Sequence, residues 1–161
     1  GLFNQMSQEG LEDWDERACE KFIKEYYALR PELGVWQDQT RAFAGKHGYV
    51  SDMFGRLRYI PEMLCPVKRY RSAGERQAIN MPIQSTAQGV LKMAMVKMHQ
   101  ADYHHPYAWL LQIHDELMFE VEANYAVQFV WWAKQIMESA VKLSVPINVE
   151  AKMGTNWGEM S

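Results

Sequence analysis

Cysteine is scarce: Cys19 and Cys65 are the two in 161 residues. They are too few for a disulfide framework and match no metal-ligand spacing, so a reducing compartment is the default. No apolar run is long enough to span a bilayer and no secretory leader precedes Gly1, so no membrane association is expected. An excess of one charge is also missing. A net charge of −3 carries no global signal for nucleic acid or membrane, and any basic surface must be local. Internal repeats, low-complexity segments and linkers are absent. What remains is enough chain for one domain, with 48% apolar residues to build its core. The chain starts with Gly rather than Met, which reads as a fragment or a processed product.

The most informative stretch is Trp109-Leu110-Leu111-Gln112-Ile113-His114-Asp115-Glu116-Leu117-Met118-Phe119-Glu120-Val121. Two short β-prone, apolar segments flank three consecutive strongly polar residues, which predicts a hairpin with His114, Asp115 and Glu116 at its tip. A carboxylate pair beside a hydrophobic hairpin is unfavourable unless a proton or cation compensates it. A divalent metal is the usual compensation where the chemistry is phosphoryl transfer. Charged residues at a turn are also ordinary, because turns favour Asp and its polar neighbours.

Residues 1–8 are too short to settle as helix or loop. From Glu9, the acids Glu9, Glu12, Asp13, Asp15 and Glu16 crowd the start of a helical pattern, as a helix dipole favours. Leu11, Trp14, Ala18, Phe22, Tyr26 and Leu29 recur at helical spacing and predict one buried face. Pro31 closes this helix or starts a second, which carries Val35, Trp36, Thr40 and Phe43 and stops at Lys46-His47-Gly48. Tyr49–Pro61 reads as a hairpin turning near Gly55. Arg56, Arg58, Lys68, Arg69, Arg71 and Arg76 make the stretch after it the most positive part of the chain. Such a run is commonly a solvated face, but arginines on a rigid hairpin also suit phosphates.

Ser72 with Glu75 resembles a capping box, and the helix after it meets Pro82, where a kink or break is expected. A further helical segment runs from about Ile83 to His99. Ala87, Val90, Leu91, Ala94, Met95 and Met98 form its buried stripe, with Gln84, Gln88 and Lys92 on another face. Arg76, Asn80 and Gln84 are spaced four apart, which makes a polar helix face or a row of donors tracking a duplex groove. His104-His105-Pro106 reads as a loop. Ala123–Leu143 reads as an apolar helix, and Val145–Met153 alternates as a half-buried strand ended by Gly154.

Three segments together carry a resemblance. They are Gly48-Tyr49-Val50 with Phe54-Gly55-Arg56-Leu57-Arg58-Tyr59-Ile60-Pro61; Glu75-Arg76-Gln77-Ala78-Ile79-Asn80-Met81-Pro82-Ile83-Gln84-Ser85-Thr86-Ala87; and Leu111-Gln112-Ile113-His114-Asp115-Glu116-Leu117. In order and approximate spacing they resemble the motifs of family A DNA polymerases, the bacterial DNA polymerase I type also found in phages. The resemblance implies an α+β fold, an antiparallel palm-type sheet with a central hairpin packed on long helices. It implies that residues 1–48 are the C-terminal helices of the fingers and 49–161 the C-terminal half of the palm. The activity implied is template-dependent transfer of nucleotidyl groups from dNTPs to a primer 3′-hydroxyl.

By the same resemblance Asp115 binds catalytic metal, with two Mg2+ ions in the intact enzyme, and Glu116 supports the site as a further metal ligand. His114 lies near the primer end. Arg76, Asn80 and Gln84 contact the minor groove of the new duplex and the template. Gln112 and His114 join the nucleic-acid-binding set, and Arg56 and Arg58 meet backbone phosphates. Minor-groove acceptors are nearly the same for every correct pair, so donors there sense pairing without reading sequence. The implied partners are primer-template DNA, dNTP and a missing N-terminal polymerase segment; the implied location is the cytoplasm, with the nucleoid or in a phage-infected cell.

The departures are specific. The family's preceding metal-binding aspartate and the basic fingers helix are not in this chain, so the fragment alone is expected to be inactive. Asn4 stands where a tyrosine is usual, and Ser85 replaces the usual glycine between Gln84 and Thr86, a change expected to tighten packing at the kink. Competing readings are a non-catalytic nucleic-acid-binding module, a single-subunit RNA polymerase palm, and an HD-type metal phosphohydrolase using His114-Asp115 with His104 and His105. Glu116 after Asp115 favours DNA over RNA polymerase. The strand patterns around His114-Asp115 disfavour the hydrolase, whose histidines belong on helices.

Overall fold

A computed structural model describes residues 2–10, 14–101 and 103–160. The fold is α+β, with long helices and small antiparallel sheets. The chain forms two compact units, Gly1–Val50 with Leu57–Met81, and Ser51–Arg56 with Pro82–Ser161. Among the described residues no helix is long and apolar enough to cross a membrane.

In the first unit, α1 covers Leu2–Gln8 and α2 Glu16–Leu29. The α2 start lies later than the acidic run suggested. Asp15 is its N-cap, its carboxylate accepting from the Ala18 amide at 2.7 Å. Leu11, Glu12 and Asp13 fall outside the described residues. The expected buried face of α2 is not realised: Cys19 is its one buried residue, while Phe22, Tyr26 and Leu29 are exposed. Periodicity sets which residues share a face, but burial needs a neighbour on that face.

Helix α3, Pro31–His47, uses Pro31 at its first turn and ends with Gly48 in the left-handed region (φ 74°), as the basic last turn followed by Gly predicted. Strands β1 (Tyr49–Ser51) and β2 (Leu57–Tyr59) pair as the expected hairpin, with Gly55 at φ 79° in its turn. A 3-10 turn, Pro61–Leu64, follows. The core of this unit is Ala44, Val50, Ile60, Met63, Ala78 and Met81.

Helix α4 runs unbroken over Lys68–Gln100 with Pro82 inside it. It begins before Ser72, so the expected cap there is an interior residue. Nor is there a break at Pro82. An interior proline costs about 3 kcal/mol, and α4 buries Ala78 and Met81 before Pro82 and Leu91, Ala94 and Met98 after it. The boundary between the two units does fall between Met81 and Pro82.

In the second unit α4 buries Leu91, Ala94 and Met98, with Val90 and Met95 half-buried and Ala87, expected in the stripe, exposed. Strands β3 (Tyr107–Ile113) and β4 (Glu116–Val121) form the central hairpin, antiparallel from Tyr107↔Val121 to Ile113↔Glu116. A bulge between Trp109 and Leu111 shifts its register near the middle. Helix α5, Ala126–Glu138, follows a 3-10 turn over Ala123–Tyr125 and is shorter than the apolar run predicted. Met98, Phe129 and Ala133 form the buried centre here. Tyr107, Trp109, Phe119 and Trp132 pack around it.

The expected strand over Val145–Met153 is absent: the segment has no regular structure. Its alternation survives in burial, with Ile147 and Val149 half-buried and Asn148 and Glu150 exposed. The Val149 amide, however, donates to the Glu138 carboxylate at 3.1 Å rather than to a strand. A period of two fixes faces, and a strand also needs a hydrogen-bonding partner.

Candidate functional site

The β3–β4 hairpin closes with a two-residue turn, His114-Asp115, between the paired Ile113 and Glu116. His114 has φ 52° and is the one non-glycine residue with positive φ among those described. Positive φ at the first turn position and not at the second is the sign pattern of a type II′ turn, where glycine is usual. Holding histidine there costs about 1–3 kcal/mol. His114, Asp115 and Glu116 are all exposed, so the tip offers its carboxylates to solvent.

The turn is tied to α4. Gln88 Nε2 donates to the His114 carbonyl at 2.7 Å, and Gln88 Oε1 accepts from Gln112 Nε2 at 3.2 Å. Gln112 Nε2 also lies 3.5 Å from the same carbonyl. The network therefore joins one helix residue, one strand residue and the peptide leading into Asp115.

A second cluster surrounds Asp52, the one buried charged side chain among those described. Its Oδ1 accepts from the amides of Phe54 and Arg56, each at 2.9 Å, an Asx-type turn that shapes the loop before Gly55. Its Oδ2 accepts from the Ser85 hydroxyl at 2.5 Å and pairs with Arg56 Nε at 3.0 Å. Burial pushes the Asp52 carboxyl up. The Ser85 hydroxyl, the Arg56 and Phe54 amides and the Arg56 guanidinium outweigh it and hold the carboxyl below its ordinary value. The Met53 amide donates to the Thr86 hydroxyl at 3.1 Å, so the loop meets α4 at two successive residues. Gly89 permits the approach, since a Cβ there would lie 2.2 Å from the Phe54 ring and 2.5 Å from Arg56 Nη2.

Arg56 thus spends Nε on Asp52 and Nη2 on the Ser85 carbonyl (3.3 Å). Arg58 is exposed and donates to Gln77 at 3.0 Å within the first unit, where Arg76 and Asn80 are also exposed. Gln84 is exposed in the second unit. His105 stacks on Tyr125, ring centres 3.6 Å apart, and His114-Asp115 sits on a hairpin, unlike the helix-borne pair of an HD-type hydrolase.

Among the described residues no three His, Cys, Asp or Glu side chains gather where they could share a metal. The donors at the tip are a pair of hard carboxylates. That chemistry fits Mg2+, which is usually held by one or two carboxylates plus substrate phosphates and water. Sequence reasoning missed Asp52 and Ser85 as a pair. Asp52 three residues before Gly55 was a local turn signal, but nothing local pointed to Ser85, 33 residues away.

The profile of DNA polymerase family A matches residues 2–159. "DNA polymerase I, thermostable" of Thermus thermophilus is 39% identical over 154 residues, which are 96% of this chain and 18% of that protein. DNA polymerase I of Pseudomonas aeruginosa is 35% identical over 172 residues, covering 99% of this chain and 18% of the relative. A solved structure described as the POL domain of Pol1 from M. smegmatis in complex with DNA primer-template and dNTP superposes with a TM-score of 0.86 at 31% identity. The match covers 92% of this chain and 26% of that one. This chain belongs to DNA polymerase family A, and it spans 18% of the length of the Thermus and Pseudomonas relatives.

Proposed function

We propose that the chain contributes the metal-binding hairpin and duplex-contacting residues of a DNA-directed DNA polymerase. The observation that carries this is the His114-Asp115 turn. A costly backbone conformation is maintained at an exposed tip, where it displays adjacent carboxylates and buries nothing. The family membership and a structural neighbour bound to primer-template and dNTP support the same reading.

On this reading Asp115 holds magnesium and Glu116 assists it. When bound, two Mg2+ ions lower the barrier to attack by the primer 3′-hydroxyl and stabilise the departing pyrophosphate. His114 lies beside the primer end. Arg76, Asn80 and Gln84 donate to the minor-groove edge of the duplex, and Gln112 belongs to the nucleic-acid-binding set. Arg58 meets its phosphates, and Arg56 adds positive charge from its anchored position. Residues 1–48 are the C-terminal helices of the fingers, and 49–161 belong to the palm. On the same reading the protein works in the cytoplasm, with the nucleoid or a phage genome.

The polymerase carrying this chain, expressed at full length, should extend a primer in magnesium. Asp115→Asn should lower the rate by at least about a thousandfold while duplex affinity stays within about twofold, since phosphate contacts dominate affinity. Salt-dependent duplex binding without primer extension, indifferent to magnesium and to Asp115→Ala, would replace this reading with a non-catalytic binding module.

A further inference from the structure

We propose that Gln88 is a positioning residue for Asp115, acting through the peptide that joins His114 to Asp115. The catalytic consequence rests on the polymerase reading above; the structural one does not.

In a two-residue hairpin turn the central peptide can face either way. The two orientations, types II′ and I′, differ by a flip of that peptide and by the sign of φ at the second turn residue. Here only the first turn residue, His114, has positive φ, so one orientation is selected. The carbonyl of that peptide receives Gln88 Nε2 at 2.7 Å, with Gln112 Nε2 3.5 Å away. Gln88 is itself oriented, because its Oε1 accepts from Gln112. A flip would remove the carbonyl from its donor, drive Asp115 to positive φ and swing its side chain.

Packing does little to prevent that flip, since all three tip side chains are exposed. The hydrogen bond from α4 is what favours the observed state. Gln88 also stands on a rigid support. One turn earlier the helix is bonded to the 52–56 loop through Ser85 and Thr86, and Gly89 lets Phe54 lie against it. A ligand held from a rigid element keeps its geometry better than one held by its loop alone.

Two substitutions test this. Gln88→Glu keeps the shape but cannot donate at neutral pH, and Gln88→Met removes hydrogen bonding without adding charge. In the 161-residue chain, the backbone couplings of His114 and Asp115 and the amide exchange of residues 114–116 report the tip. Both variants should show averaged couplings at Asp115 and exchange faster by about fivefold or more, with couplings elsewhere in β3 and β4 unchanged. In the polymerase carrying the chain, kcat for nucleotide addition should fall about tenfold with KM for dNTP within about twofold, as for a misplaced group that still binds. An unchanged tip in both variants would overturn the proposal. So would an altered tip with unchanged kcat, which would make Gln88 merely structural. If the unsubstituted polymerase extends no primer, the polymerase reading falls by itself. The tip couplings then decide alone whether Gln88 sets the backbone at Asp115.

Discussion

The Ser85 hydroxyl donates to the Asp52 carboxylate at 2.5 Å, joining α4 to the loop between β1 and β2. The Ser85 hydroxyl has a buried anion to satisfy. The pair is a local solution: a buried carboxylate is tolerable because a hydroxyl, two amides and a guanidinium surround it.

Ser85→Ala should therefore destabilise the chain by about 1–2 kcal/mol, the cost of removing one partner from a buried acceptor. Ser85→Gly should cost about 1 kcal/mol more, because glycine also weakens a helix interior. Chemical denaturation of the two variants beside the parent measures both, and equal stability of all three would show that the hydrogen bond contributes nothing.

Asp52 makes stability depend on acid. Its folded carboxyl lies below the ordinary value of 3.8, so its contribution is fully present above that value and is lost as pH falls through the lower, folded one. Melting temperature should hold from about pH 7 to about pH 5 and fall below about pH 4. Asp52→Asn should lower stability at neutral pH and flatten part of the acid limb. An acid limb of unchanged slope in that variant would assign the effect to other carboxylates.

Gly89→Ala sets two effects against each other. Alanine improves helix propensity by about 1 kcal/mol, but its Cβ would overlap the Phe54 ring and Arg56. Displacing both loosens the loop from α4, and overpacking of this kind costs about 1–3 kcal/mol. The net expectation is a loss of stability with increased exposure of Phe54. A melting temperature above that of the parent would mean that the ring moves aside freely.

The features legible in the sequence were those written within a few residues of each other. Lys46-His47-Gly48 ended α3, Gly55 turned the first hairpin, and the run from Trp109 to Val121 announced the second with its polar tip. Misreadings arose where a local pattern needed something distant. Phe22, Tyr26 and Leu29 share a helical face, yet they remain exposed. The segment around Ile147 and Val149 keeps its alternation without finding a strand to pair with. Pro82 should locally end a helix, and α4 continues through it because residues on both sides are packed into the two units.

By itself the sequence determined the family and the hairpin that carries Asp115 at its tip, since motif order and turn chemistry are local properties of the chain. Only the tertiary structure decided that Asp52 is buried against Ser85 and that Gln88 holds the peptide before Asp115. Those pairs lie 33 and 26 residues apart. Each depends on the approach of separate segments, and no short-range preference of either partner encodes that approach.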